Sequence, residues 1–217
     1  MNTGDTAWVL ASAALVLLMT PGLALFYGGM VRAKSVLNMM MMSFGALALI
    51  SVLWVLYGYS MSFGNDVGAG FVGSPFEFFG LKGLFGTTGL DDGFQATSLV
   101  FTIPSMAFVA FQAVFAIITV ALISGAIADR ARFGPWMVFA GVWATLVYFP
   151  VAHWVFAFNG AESAVGGWIA NNLLAIDFAG GTAVPPAKSI ASRLLAIQPP
   201  VFDSAPSKAK TQWATGK

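Results

Sequence analysis

The sequence contains no cysteine and a single histidine, His153. The first absence excludes disulfides, thiolate metal sites and thiol catalysis together, and the second excludes a metal site built from several histidines. Charge is scarce too: Asp, Glu, Lys and Arg supply 9% of the 217 residues, against roughly 25% in an ordinary soluble domain. A chain so poor in charge cannot cover a water-facing surface. Catalytic signatures are also missing. There is no Gly-x-Ser-x-Gly elbow, no His-Glu-x-x-His pair and no phosphate-cradling glycine loop. Two carboxylates at membrane depth, which intramembrane aspartyl chemistry needs, are not found either. The chain is therefore read as a non-enzyme, with no cofactor, no metal and no nucleic acid partner expected.

What is present is apolar. Hydrophobic residues make up 58% of the chain, with 20 Phe, 7 Trp and 24 Gly, and the mean hydropathy is +0.81. This is the composition of an all-α, polytopic transmembrane helical bundle, whose partner is the lipid bilayer. Thr6 to Val31 carries no charge and exceeds the ~20 residues needed to cross a core of about 30 Å. The leader MNTGD holds an acid and no base, so the segment reads as a retained span rather than a signal peptide. Pro21 and Gly22 predict a kink or local break within it. Further uncharged runs occupy Ser35–Asn65, Gly93–Ala128 and Phe133 to about Phe158, giving expected spans near 7–30, 38–63, 98–126 and 134–158. The consecutive methionines Met39 to Met42 point all round a helix, which suits flexible filler better than a thioether metal site.

Basic residues set the expected orientation. Arg32 and Lys34 fall in the first connection, Arg130 and Arg132 in the third, whereas the second carries Asp66, Glu77, Asp91 and Asp92 against Lys82. The positive-inside rule then places connections one and three in the cytoplasm and the N-terminus outside, in a multi-pass protein of the cell membrane. A fifth span would begin near Asp177. Instead come Pro185, Pro186, Lys188, Arg193, Pro199 and Pro200, and a charge at mid-span costs roughly 2.5–3.5 kcal/mol. The expectation is four spans plus an incomplete fifth, followed from 185 to 217 by a basic tail predicted to be disordered.

Three places offer chemistry. Phe108, Phe111 and Phe115 recur at offsets of three and four, on one face of the third span. Such a face can hold a small cation at about 0.5–2 kcal/mol, although from spacing alone helix packing is the preferred reading. His153, Trp154 and Phe156 end the fourth span, where an aromatic belt explains the rings. The histidine there reads either as a hydrogen-bonded structural residue or as a proton relay. Asp177 opens Asp-x-x-Gly-Gly-Thr and suits a helix cap, a role compatible with holding a carboxylate near a cation entrance.

The strings TPGLALFYGGMVRAKSVLNMM, WVLYGYSMSFG, FQAVFAIITVALISGAIADRARF, YFPVAHWVFAFNG and DFAGGTAV resemble the ammonium transporter family (Amt/Mep/Rh). They fall in family order over residues 7 to 184. The resemblance implies the first half of an inverted-repeat fold, in a homotrimer of subunits with a pore at the midplane. It implies ammonium, or methylammonium as its analogue, recruited at an outer aromatic vestibule. A phenylalanine gate and a pore with two histidines then carry ammonia and a relayed proton. By this resemblance Phe111 and Phe115 match the gate, and Asp177 matches the structural acid behind the recruitment site. Phe156 stands where many members have the vestibule tryptophan, two residues after Trp154. Pro185 stands where the family has its first pore histidine, and a frameshift at the 184/185 boundary is the simplest origin of the tail. Two readings follow: ammonium transport, or a truncated, non-conducting fragment lacking both pore histidines and the second half-repeat.

Overall fold

The computed structural model describes residues 2–85, 103–157 and 167–169. Four helices among them are long and apolar enough to cross a membrane: α1 (Thr3–Met30), α2 (Ala33–Phe63), α3 (Ser105–Ile127) and α4 (Phe133–Phe156). The shortest, α3, has 23 residues and reaches about 35 Å at 1.5 Å per residue, enough to span. The expected incomplete fifth span, the basic tail and Asp177 lie outside the described residues, as does the start of the third run before Ile103.

Helix α1 starts under Asn2, whose side-chain oxygen accepts from the amides of Gly4 at 2.9 Å and Asp5 at 3.4 Å, satisfying donors that a helix start leaves free. It then runs through Pro21 without interruption, so of the expected kink or local break the break does not occur. Proline removes one backbone donor, but a full break in a bilayer would strand several more with no water to receive them.

Helix α2 is central and packs against α1, α3 and α4. It opens in a 3₁₀ turn at Ala33–Ser35 and widens to a π-helical segment at Trp54–Gly58. Helix α4 carries a matching π-helical segment at Ala144–Tyr148. Each such turn accommodates an extra residue and rotates the side chains that follow. In α4 the proline at 150 follows closely, and its missing donor loosens the turn upstream. The two segments meet, with Tyr57 Oη and Thr145 Oγ1 sharing a hydrogen bond of 2.8 Å. Gly58 makes the approach possible, since a Cβ there would lie 2.5 Å from the Phe149 ring.

The core lies between α2, α3 and α4. Trp54, Tyr59, Trp136, Tyr148 and Phe149 are all fully buried in it. Both buried indoles find partners: Trp54 donates to Val109 O at 3.2 Å and Trp136 to Met42 O at 2.9 Å. The methionine run behaves as its all-round geometry implies, with Met39 and Met42 buried and Met41 exposed. Helix α1 is the contrast, leaving Trp8, Leu15, Leu18, Leu25 and Phe26 exposed.

Candidate functional site

The C-terminal ends of α2 and α4 and the N-terminal end of α3 converge, as Phe63 packing edge-on against Phe108 at 5.2 Å attests. Beyond Phe63 the chain folds back as a tight hairpin. Asp66 and Gly73 form a bridge, Ser74 donates its amide to Asn65 O at 2.8 Å, and Gly73 donates to Met61 O at 3.0 Å. Glu77 accepts from the backbone and side-chain amides of Asn65 at 2.6 and 2.7 Å. Glu77 and Asp66, two of the acids that mark this connection in the sequence, are thus engaged internally.

His153 anchors the hairpin to α4. It is wholly buried, with Nδ1 3.2 Å from Ser62 O and Nε2 3.5 Å from Asp66 Oδ1. The Nε2 separation is a polar contact of ion-pair length rather than a hydrogen bond, and Nε2 has no hydrogen-bond partner. Glycines make room on both sides. A Cβ on Gly73 would sit 3.0 Å from the histidine Nδ1, and one on Gly167 would collide with the His153 carbonyl. Of the two roles the sequence left open for His153, this placement matches the structural one.

Trp154, next along α4, donates its indole N–H to Phe71 O at 2.7 Å. Its ring meets Phe71 edge-on at 5.7 Å and Trp168 at 6.1 Å. Trp168 in turn donates its amide to Gly70 O at 3.1 Å. Trp154 is thus fixed in a cluster of three rings that fill one another's faces. Phe156 turns elsewhere and packs, half-buried, against the main core.

The phenylalanines of α3 divide. Phe108 belongs to the core on Phe63. Phe111 and Phe115 form their own half-buried pair, T-shaped with centroids 5.1 Å apart. Counting from Ser105 at 1.5 Å per residue, they lie about 9 and 15 Å down the helix. Among the described residues no ring contact joins this pair to Trp154 or Phe156, so the rings form two tiers. Sequence reading missed Asp66, Phe71 and Trp168 as participants. Helix alternation alone puts Asp66 and His153 at the same end of the bundle, and that was the available signal.

The family model for the Ammonium Transporter Family matches residues 7–191, running past Val184 to Ala191. The ammonium transporter of Mycobacterium bovis is 62% identical over 200 residues, covering 89% of this chain and 42% of that protein. The ammonium transporter of Bacillus subtilis is 46% identical over 199 residues, covering 91% and 44%. Among solved structures, Candida albicans Mep2 superposes with a TM-score of 0.75 at 33% identity, covering 91% of this chain and 39% of that one. The chain spans less than half the length of the curated relatives it matches.

Proposed function

We propose a role in ammonium transport on one premise: the chain belongs to the ammonium transporter family. Its four spans form the entrance and one wall of a path for ammonium or ammonia across the cell membrane, with the N-terminus outside and subunits assembled as a homotrimer. The observation that carries this reading is the two-tier arrangement of rings. Phe111 and Phe115 close on each other at 5.1 Å, some two to three helical turns below the end where Trp154 and Phe156 stand.

The physics of the two tiers differs. At the upper one a hydrated cation meets aromatic faces, each worth about 0.5–2 kcal/mol as water is removed. Phe156 supplies such a face, Trp154 is committed through its N–H to Phe71, and the family resemblance gives Asp177 the role of structural acid for recruitment. At the lower tier two hydrocarbon rings bar the way. An ion passing between them loses its water with no charge to replace it, whereas neutral ammonia does not meet that penalty.

A second reading, a non-conducting fragment, has its own support. The large apolar side chains that α1 leaves exposed include Trp8 at 74%, and Pro185 occupies the place of the family's first pore histidine. Vesicles containing only this chain separate the two. Saturable uptake of labelled methylammonium supports the conduit, and Phe156→Trp should then improve apparent affinity about 2- to 5-fold through the stronger cation–π face. Uptake no faster than through protein-free vesicles favours the fragment.

A further inference from the structure

The connection that follows α2 carries large apolar side chains that no described residue covers. Phe76 is 79% exposed, and Phe79 and Phe85 are exposed as well. In the sequence this connection reads as acidic, yet over residues 74–85 the acid is not what faces out. Glu77 is engaged by Asn65, which leaves Lys82 as the exposed charge of the segment.

The segment does not stand up from the bundle. Its 3₁₀ turn, Phe79–Leu81, packs beside the π-helical stretch Trp54–Gly58 of α2, and the Phe78 ring lies 6.0 Å from that of Tyr59. Leu81 and Leu84 enter the main core. The middle of the π-helical stretch, Leu56, precedes the end of α2 at Phe63 by about 10 Å of helix, so the chain has turned back along the span. Helix α2 has 31 residues, about 46 Å of helix against a hydrocarbon core of about 30 Å. Centred in the bilayer, it projects about 8 Å at either end. The turn therefore reaches the boundary between headgroups and acyl chains, and goes no deeper.

The backbone suits that depth. Gly80, Leu81 and Gly83 take positive φ values and fold the chain tightly. The Phe78 amide donates to Ser60 Oγ at 2.9 Å, and the amides of Leu81, Lys82 and Leu84 donate to carbonyls three residues back, at 2.8, 3.3 and 3.3 Å. Amides satisfied from within are what a lipid boundary demands, because little water is there to receive them. The adjoining stretch of α2 leaves Val55 and Leu56 exposed, so span and segment share an apolar outer surface. Phenyl rings favour this interfacial level. A lysine there lays its stem along apolar surface and extends its ammonium to lipid phosphate. A second copy docking by two-fold symmetry would instead bring the Lys82 ammonium groups of both copies to one interface, with Glu77 already engaged.

We propose that residues 76–85 form a wedge lying in the plane of the membrane, seated in the lipid leaflet on the Phe63 side. Phe76, Phe79 and Phe85 lie among the upper acyl methylenes, and Lys82 reaches the phosphates. The wedge does not depend on conduction, so its test and that of the transport reading can fail separately. The chain has no cysteine, so Phe76→Cys, Phe79→Cys and Val67→Cys each accept one nitroxide label with no background. The full chain is reconstituted in phosphatidylcholine vesicles, and each label's collisions with oxygen, which gathers in acyl chains, are compared with those of a water-soluble nickel chelate. Val67 is exposed on the hairpin beyond Phe63 and serves as the water-facing reference. The oxygen-to-nickel ratio should be several-fold higher at positions 76 and 79 than at 67. Phe85→Cys gives the same reading if either of the other phenylalanines is needed for folding. Equal ratios at all positions overturn the proposal, as does nickel prevailing at 76 and 79. Labels there shielded from both reagents also overturn it, in favour of a second copy or another protein covering the segment.

Discussion

The two ends of this bundle use charge in opposite ways. At the His153 end the acids are engaged within the protein: Asp66 faces the buried histidine at 3.5 Å, and Glu77 receives two donors from Asn65. At the Arg130 end, Arg32, Lys34, Arg130 and Arg132 are all exposed, and none has an ion pair among the described residues. One end uses charge to fix a loop over the helix ends, and the other presents it outward. In the sequence both look alike, as a few charges between apolar runs. Their difference depends on whether a partner is buried with them, because a charge with no partner is tolerated only where water or headgroups reach it.

The comparison is most directly broken at His153. Replacing it by Leu takes the imidazole away from the Ser62 carbonyl and from Asp66, which keeps the Gly68 amide at 3.2 Å, and should lower stability by about 3 kcal/mol in reversible unfolding from mixed micelles. Adding Asp66→Asn to that variant should recover a good part of the loss. If the two single changes simply add, the residues are neighbours and not a unit. A smaller effect belongs to Trp154→Phe, which keeps a ring but gives up the 2.7 Å bond to Phe71 O; it should cost about 1 kcal/mol in the same assay. The smallest should come from the opposite end. Arg130→Gln with Arg132→Gln should stay within about 0.5 kcal/mol of the parent. A loss there as large as that of His153→Leu would erase the contrast between the ends.

Family and fold class were legible from the chain alone. Long uncharged runs cannot be reconciled with anything but a bilayer, and among the described residues four apolar helices occupy them. Membership of the ammonium transporter family rests on contiguous strings, which need no geometry. The pairing of Phe111 with Phe115 also follows from local spacing, since a step of four residues returns to the same helix face. The separation of Phe108 from that pair does not, because Phe63 on another helix takes up its ring. Of the two π-helical segments only that of α4 has a local cause, Pro150. Their meeting point joins Tyr57 to Thr145 and needs Gly58 under Phe149, so their pairing depends on helices distant in sequence.

That the chain lives in lipid, that four apolar helices fill its described part and that it belongs to this family can all be read along the chain. Hydrophobic length and unbroken motifs are one-dimensional properties. Which charges are engaged and which stay exposed depends on folding. It ties His153 to Asp66 and Trp154 to Phe71, and leaves Arg130 and Arg132 at the surface. The reason is range: transfer into a bilayer is summed residue by residue along the chain, whereas a hydrogen bond or ion pair exists only where folding brings two distant groups within a few ångströms.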